Sequence, residues 1–187
     1  MAYIKVIPFQ EADGKLKEIY QDLIKSRGKL AAVHQIQSLS PESIVHHMDL
    51  YMGIMFGRSP LTRAHREMMA VVVSVANHCE YCISHHAEAL SHFWKDPERV
   101  QKLGEDYSSI VLTSSEKILC DYAHELTCNP AKIEETGIIN SMKEVGWEDR
   151  AILDAALVIS YFNFVNRMVL GLGVHLEEEG SGGFQYE

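Results

Sequence analysis

The sequence predicts one soluble domain in which every regular segment is a helix, and three observations support this. The chain has 187 residues, of which 47% are hydrophobic and 23% are charged, which is typical of a single globular domain with a full core. Apolar residues recur at intervals of three and four positions, the spacing of amphipathic helices. Cap residues, glycines and prolines separate the periodic segments.

The charge balance excludes two classes of partner. A net charge of −9 and a pI near 5.5 argue against binding to nucleic acid or to an anionic membrane, because both need a concentrated basic face. The start of the chain does not resemble a signal peptide, and we find no apolar run near the roughly 20 residues of a membrane span. We therefore expect a cytoplasmic protein whose four cysteines are reduced thiols.

The first three helices are predicted from periodicity and caps. Residues 11–26 form the first, and the second begins at Ser40-Pro41, where a cap residue precedes proline at the first helical position. Thr62 is a plausible cap for a third helix that continues to about Asn77. Its run Val71-Val72-Val73 would also suit a buried strand, but the length of the segment favours the helix.

The rest of the chain continues the helical pattern. A helix from Cys79 to about Trp94 ends before Asp96-Pro97, which opens a short helix. Three further helices are predicted. The first starts at Ser114 or Ser115 and ends before Asn129-Pro130, the second runs from Pro130 to Glu144, and the third from Ala151 to Leu170. We expect residues 1–176 to form the domain and residues 177–187 to be a solvated tail.

Two helix openings resemble each other. The pattern Arg63-Ala64-x-x-Glu67 recurs 87 residues later as Arg150-Ala151-x-x-Asp154, each at the start of an apolar segment. This similarity suggests an internal helical repeat whose second copy lacks cysteines.

The chemistry is concentrated in a cysteine pair, Cys79-Glu80-Tyr81-Cys82, that His86 follows after four residues. Three interpretations stay open from spacing alone: a redox dithiol, half of a zinc site completed by His85 or His86, or two inert core thiols. Position near a helix N-terminus favours the redox interpretation, because the helix dipole stabilises a thiolate.

Glu67 lies twelve residues before the first cysteine in an apolar run, where a charge is costly unless it has a use. One straight helix would put Glu67 about 18 Å from Cys79, too far for proton exchange. If the chain reverses near Asn77-His78, however, His86 returns alongside Glu67. The order Glu67, His86, Cys82 is then a proton relay.

Glu67, Cys79, Cys82 and His86 at this spacing resemble the core motif of the alkyl hydroperoxidase D family, within the carboxymuconolactone decarboxylase-like superfamily. The run from Leu61 to Leu90, together with the segment Asn163-x-x-Asn166-Arg167, resembles the branch of peroxidase-related proteins. The likeness covers most of the chain.

The resemblance implies an all-α subunit, assembled as trimers or hexamers, that reduces organic hydroperoxides with no cofactor besides its redox-active cysteine pair. It implies that Cys82 attacks the peroxide, that Cys79 resolves it as a disulfide, and that His86 and Glu67 handle the proton. The Cys82 thiolate should then titrate below the ordinary thiol value of about 8.5. A thioredoxin-like or lipoylated protein would be the reductant.

Three further residues are candidates for the substrate pocket. Tyr81 stands where the best-studied family members have a histidine, and a phenol is a poor base near neutral pH. Asn163 and Arg167 lie one turn apart in an apolar helix, where they would line the pocket, bind an anionic group or pack between subunits.

Two other functions compete with peroxide reduction. One is a lactone decarboxylase of the same superfamily, and the other is a redox-switched binding protein or chaperone. We also expect a homo-oligomer, because two apolar sets exceed the needs of one small bundle. These sets are Met48, Tyr51, Met52 and Met55, and Val158, Tyr161, Phe162 and Val165.

Overall fold

The computed structural model describes residues 2–177 and 180–183, and all regular structure in them is helical, which confirms the predicted all-α class. The α-helices, numbered in chain order, are α1 Gly14–Arg27, α2 Ala32–Gln35, α3 Pro41–Phe56, α4 Arg63–Ala76, α5 Glu80–Trp94, α6 Pro97–Glu105, α7 Ser114–Cys128, α8 Ile133–Thr136, α9 Ile138–Glu144 and α10 Asp149–Leu172. Short 3-10 turns lie at Tyr107–Ser109 and Pro130–Lys132.

Helix α4 is the centre of the main core. Every residue from Arg66 to Ser74 is buried, and the helix packs against α5, α7 and α10. The run Val71-Val72-Val73 is therefore helical, as the length of the segment predicted. The N-terminus is fixed by a capping box, in which the Thr62 hydroxyl accepts from the backbone N–H of His65 and the His65 side chain accepts from the backbone N–H of Thr62.

Helix α10 is longer and more apolar than the sequence analysis expected. Its 24 residues are long and apolar enough to cross a membrane, by length and composition alone. The sequence analysis did not identify this run, because Asn163, Asn166 and Arg167 interrupt its apolar residues. Buried residues recur along its whole length, from Ala151 to Val169. The core helix of a soluble protein has the same properties.

A second, smaller core joins α1 to α3. The residues buried in this core are Ala12, Leu16, Tyr20, Leu23 and Ile44. This packing places the C-terminal end of α1 and the short helix α2 beside the main core, where they form one side of the cavity described below.

Local chemistry explains where the predicted helices differ from those observed. The segment predicted as one helix from Pro130 to Glu144 is divided, because Gly137 has a left-handed φ of 66° between α8 and α9. Helix α7 is capped by Thr113, one residue before the predicted start. Its hydroxyl and the Glu116 side chain form a capping box. The first helix begins at Gly14, later than predicted.

The two similar helix openings form the same ion pair. Arg63 donates to Glu67 at 2.6 Å, and Arg150 donates to Asp154 at 2.8 Å, each across one helical turn. The similarity stops where α4 ends at Ala76, because α10 continues past the equivalent position.

The residue sets that suggested an oligomer belong mainly to the core of one subunit. Met55 and the four α10 residues of the second set are buried, so they need no partner. The α10 face that remains exposed is a different apolar stripe, formed by Leu153, Leu157 and Phe164, which are 54%, 42% and 50% exposed. This stripe is the better basis for the predicted homo-oligomer.

Arg66 ties the loop between α3 and α4 to the core. Its guanidinium donates to the backbone carbonyls of Ile54, Met55, Gly57 and Leu61 at 2.6–3.1 Å. We expect Arg66→Met to lower the free energy of unfolding by about 3 kcal/mol, because several buried carbonyls lose a charged donor. Urea unfolding measures this, with the exposed Arg167→Met as control. A loss under about 1 kcal/mol would contradict the assigned role.

Candidate active site

The turn between α4 and α5 brings the predicted site residues together. Helix α4 ends at Ala76, His78 adopts a left-handed φ of 55°, and Cys79 caps the N-terminus of α5. The reversal lies where the sequence analysis placed it. It sets α5 against α4, so that His86 Nδ1 lies 2.7 Å from Glu67 Oε2.

Glu67 is a fully buried carboxylate with two partners. Its Oε1 accepts from Nε and Nη2 of Arg63 at 2.9 and 2.6 Å, while Oε2 accepts from His86. Burial alone would raise the pKa of Glu67, but the charges and hydrogen bonds of His86 and Arg63 outweigh it and lower that pKa. Glu67 is therefore ionised at neutral pH.

This carboxylate fixes the orientation of the His86 ring. An ionised carboxylate can only accept, so Nδ1 of His86 carries a proton and donates it to Glu67. Nε2 makes no hydrogen bond to the described part of the chain, and His86 lines the cavity described below. Phe162 packs edge-on against the ring, with 4.4 Å between centroids. Nε2 is thus the nitrogen that can exchange a proton with a molecule in the cavity.

Both thiols are free, buried and close to each other. Cys79 lies at the cap of α5 and Cys82 in its first turn, and the interaction between the two thiols shifts the pKa of each. Cys82 lines the cavity. Cys79 is fully buried and is not among the residues that line the cavity.

In the resting state, the pKa of Cys82 is shifted in the direction opposite to that predicted from the sequence. Hydrogen bonding from Cys82 lowers the pKa of Cys79, whereas the same bond, burial and the neighbouring charge raise the pKa of Cys82. A hydrogen bond from Asn166 to Cys82 opposes part of that rise. The expected low pKa of Cys82 is wrong for this state, because a shared proton favours one thiolate at the expense of the other.

Asparagine side chains hold the turn that carries the thiols. Asn77 Nδ2 donates to the side-chain oxygens of Asn163 and Asn166 at 3.1 and 3.0 Å, and Asn166 Nδ2 donates to Ser74 Oγ at 3.2 Å. Asn166 is fully buried. The sequence analysis noted it only as an interruption of the apolar run, yet it contacts both the turn and Cys82.

Of the three predicted pocket residues, the structure places only Tyr81 in the cavity wall. Asn163 faces Asn77 and donates to Thr127 Oγ1 at 3.0 Å, while Arg167 is exposed and donates to Asn163. The prediction of Asn163 and Arg167 as pocket residues is therefore wrong. They lie on a face of α10 that is turned toward α7 and solvent, whereas Phe162 and Val165 face the cavity.

The cavity has a volume of about 90 Å³ and brings together α1, α2, α3, α5 and α10. Its apolar walls include Val33, Met48, Ala89, Phe162 and Val165. The polar groups that the sequence analysis missed in it are Arg27, His34, His47, Tyr51 and Tyr161. These residues lie far apart in sequence, so no local motif could have identified them.

A chain of hydrogen bonds orients the Tyr161 hydroxyl. Gln37 Nε2 donates to the Val33 carbonyl and lies 2.8 Å from His47 Nδ1, and His47 Nε2 lies 2.7 Å from the Tyr161 oxygen. Burial lowers the pKa of His47 to about 4, so this ring is neutral and accepts at Nδ1 while it donates at Nε2. Because the Tyr161 oxygen accepts from His47, its own proton is free to donate into the cavity.

Glu177 was predicted as the first residue of a solvated tail, but its carboxylate accepts hydrogen bonds from Ala32 and Tyr81. Its Oε1 accepts from the Ala32 backbone N–H and the Tyr81 hydroxyl at 2.8 and 2.9 Å, and its Oε2 lies 3.0 Å from His85 Nε2. Lys29 also donates to the carbonyl of Gly180 at 2.9 Å. The chain after α10 is thus tied across the cavity wall instead of starting a tail at 177. Residues 178–179 and 184–187 of the predicted tail lie outside the described residues.

Acid should weaken this tie. Although burial would raise the pKa of Glu177, its bonds to His85 and Ala32 lower it to about 2, from an ordinary value near 4.5. The stabilisation is therefore present above pH 4.5 and is lost as the pH falls toward 2. We expect the difference in unfolding free energy between wild type and Glu177→Gln to shrink over that range. Glu134→Gln, at an exposed position, is the control; a difference that does not change with pH would contradict the assignment.

The two histidines that the zinc interpretation would use, His85 and His86, are both engaged by carboxylates. Among the described residues no group of three or more His, Cys, Asp or Glu side chains is arranged to hold a metal ion. His86 Nδ1 is already bound to Glu67, and His85 to Glu177.

One family model of known proteins matches the part of the chain that holds the candidate site. The family model "Carboxymuconolactone decarboxylase family" matches residues 45–106, the segment that contains the cysteine pair, Glu67 and His86. None of the curated proteins matches the chain significantly.

Several solved structures share the whole fold. A peroxidase-related protein from Silicibacter sp. TM1040 is 28% identical, with a TM-score of 0.84 over 97% of this chain and 94% of that one. An alkylhydroperoxidase AhpD core protein from Ralstonia eutropha JMP134 is 20% identical, with a TM-score of 0.85 over 95% and 93%. The debrominase Bmp8 is 17% identical, with a TM-score of 0.77 over 94% and 92%. The matched segment and these likenesses support the similarity to the superfamily of alkyl hydroperoxidase D-like and carboxymuconolactone decarboxylase-like proteins that the cysteine motif predicted.

Proposed function

We propose that the protein is a cytoplasmic thiol peroxidase that reduces organic hydroperoxides with the Cys79/Cys82 pair and a Glu67–His86 proton relay. One observation supports this above the others. A free thiol, Cys82, lines the same small cavity as His86, and a buried ionised carboxylate fixes the tautomer of that histidine. A nucleophile and an oriented base at one cavity suit peroxide chemistry.

The first step is attack of the Cys82 thiolate on the terminal oxygen of the hydroperoxide. One of the two thiol protons passes to Nε2 of His86 and the other stays on Cys79, which leaves the negative charge on Cys82, the sulfur that faces the cavity. An S–O bond forms, the O–O bond breaks, and the leaving alkoxide takes a proton from His86 to become the alcohol. Glu67 stabilises the protonated ring, and the Tyr161 hydroxyl donates a hydrogen bond to the peroxide.

The second step forms the disulfide. Cys79 gives its proton to the now neutral His86 and its thiolate attacks the sulfur of the Cys82 sulfenic acid. The S–O bond breaks, and the departing hydroxide takes that proton from His86 and leaves as water. A CxxC pair at the start of one helix places the two sulfurs within a single turn, and the two thiols shift each other's pKa. An external dithiol then supplies two electrons, for which we propose a thioredoxin-like or lipoylated protein. No other cofactor is required.

Steady-state assays test this function. Purified protein should consume cumene hydroperoxide with dithiothreitol over many turnovers and yield one alcohol per hydroperoxide. Oxidation that stops at one equivalent would instead support the redox-switched binding protein. The family match also includes lactone decarboxylases by name, but their reaction does not call for a hydrogen-bonded dithiol.

The subunits are proposed to form a trimer or hexamer through the exposed stripe on α10. Leu153, Leu157 and Phe164 would be covered in such an assembly. Light scattering at micromolar concentration should therefore give a multiple of the 21.1 kDa monomer mass, and Leu157→Glu should reduce it. A mass of 21.1 kDa for the wild type would refute this prediction.

A further inference from the structure

Arg27 is a charged side chain that the proposed reaction does not use. It lies in the last turn of α1, is only 8% exposed, and lines the same cavity as Cys82. Burial of a guanidinium is costly unless a partner compensates its charge. Within the described part of the chain, Arg27 has no carboxylate partner, and its contacts are the faces of two aromatic rings.

Arg63 contacts an aromatic ring as Arg27 does, but Arg63 also has a carboxylate partner. Both guanidinium groups lie over the Phe56 ring, at 5.0 Å for Arg27 and 3.7 Å for Arg63. Arg63 also pairs with Glu67, which neutralises it. Arg27 has only a second ring, Tyr51, at 5.5 Å. Cation–π contacts place the group but leave its hydrogen-bond donors available.

The rest of the cavity wall has no negative charge to match Arg27. No aspartate or glutamate lines the cavity in the described residues, whereas Arg27 and four histidines do. The two nearby carboxylates are engaged elsewhere, Glu67 by Arg63 and His86, and Glu177 by Tyr81, His85 and the Ala32 backbone. A bound anion would therefore find a largely buried cation that has no carboxylate partner among the described residues.

The thiol site and the cation site are separate parts of one cavity. The groups that govern Cys82 acidity are Cys79 and Asn166, and Arg27 is not among them. Apolar side chains, among them Met48, Ala89 and Val165, complete the wall.

We propose that the substrate is a hydroperoxide with a carboxylate, held by Arg27 through a charge-assisted hydrogen bond while its peroxide group meets Cys82. This inference rests on the proposed peroxidase function and names its substrate class. The apolar wall would hold a short hydrocarbon chain between the two ends. Arg27 precedes the segment that the family model matches, so this specificity would belong to the N-terminal helix of this chain.

The test compares matched substrates that differ only in the carboxylate. Wild-type protein should prefer 6-hydroperoxyhexanoate over hexyl hydroperoxide by about 10- to 100-fold in kcat/KM, mainly through KM. Arg27→Met keeps the packing of the side-chain stem and should remove this preference, so that the ratio of the two kcat/KM values falls to about 1. Arg27→Lys should restore part of it, and the exposed Arg167→Met should have no effect. Equal rates for both substrates in the wild type would overturn the proposal without any variant.

A binding measurement separates this proposal from the peroxidase function. By calorimetry, hexanoate should bind the wild type about 10- to 100-fold more tightly than it binds Arg27→Met, while 1-hexanol should not discriminate between them. Hexanoate binding with no hydroperoxide turnover would reject the peroxidase function and keep the anion site. Turnover without hexanoate binding would reject the anion site and keep the peroxidase.

Discussion

Cys82→Ser is expected to lower hydroperoxide turnover by about 10³-fold or more, to the background rate with dithiothreitol. Cys82 is the thiol that lines the cavity, and serine at this position lacks a nucleophile of comparable strength. The variant should fold normally, because serine occupies nearly the same volume. Cumene hydroperoxide consumption measures the loss, and circular dichroism checks the fold.

Cys79→Ser is the matched control, because it removes the other thiol of the same pair. Cys79 is fully buried and does not line the cavity, so one equivalent of hydroperoxide should still react and leave a sulfenic acid on Cys82. Turnover should stop, since no disulfide can form. If Cys79→Ser abolishes the first oxidation while Cys82→Ser spares it, the attacking and resolving thiols are reversed. The lowered pKa of Cys79 makes this a real alternative outcome.

His86→Ala should reduce reaction of the thiol with hydroperoxide on the order of 10²-fold at neutral pH, because the leaving alkoxide loses its proton donor. Glu67→Gln keeps the size and can still accept a hydrogen bond, but it no longer stabilises a charged imidazolium. It should share part of the defect. The double variant should cost much less than the product of the two single effects, since the residues act as one unit.

Stopped-flow measurement of the first oxidation gives these rates directly. Arg167→Met is again a suitable control, as this side chain lies outside the cavity. Fully multiplicative effects of the two substitutions would show that Glu67 and His86 act separately. The relay would then be wrong even if the protein is a peroxidase.

The sequence predicted the part of the site that depends on local chain geometry, which is the position of His86 relative to Cys82 and Glu67. Helix period places His86 one turn after Cys82, and a reversal at Asn77 and His78 is the only short route that brings His86 to Glu67. Both facts follow from spacing within 20 residues. The order of thiol acidity did not follow, because it depends on the hydrogen bond between the sulfurs and on burial in the folded protein.

The missed residues come from distant helices whose approach only the tertiary structure defines. Arg27, His47 and Tyr161 lie on α1, α3 and α10, and none belongs to a recognisable motif. Asn163 was predicted as a pocket residue from sequence, whereas Asn166 was not. They differ by three positions, yet both contact Asn77, and only Asn166 reaches Cys82.

One single-turnover experiment tests the proposed chemistry most directly. Reduced protein is mixed with one equivalent of cumene hydroperoxide and no reductant, and the products are analysed by peptide mass spectrometry and chromatography. We expect one equivalent of cumyl alcohol together with a disulfide between Cys79 and Cys82, and sulfenic acid on Cys82 when Cys79 is replaced by serine. Unreacted hydroperoxide with both thiols still reduced would contradict the peroxidase account.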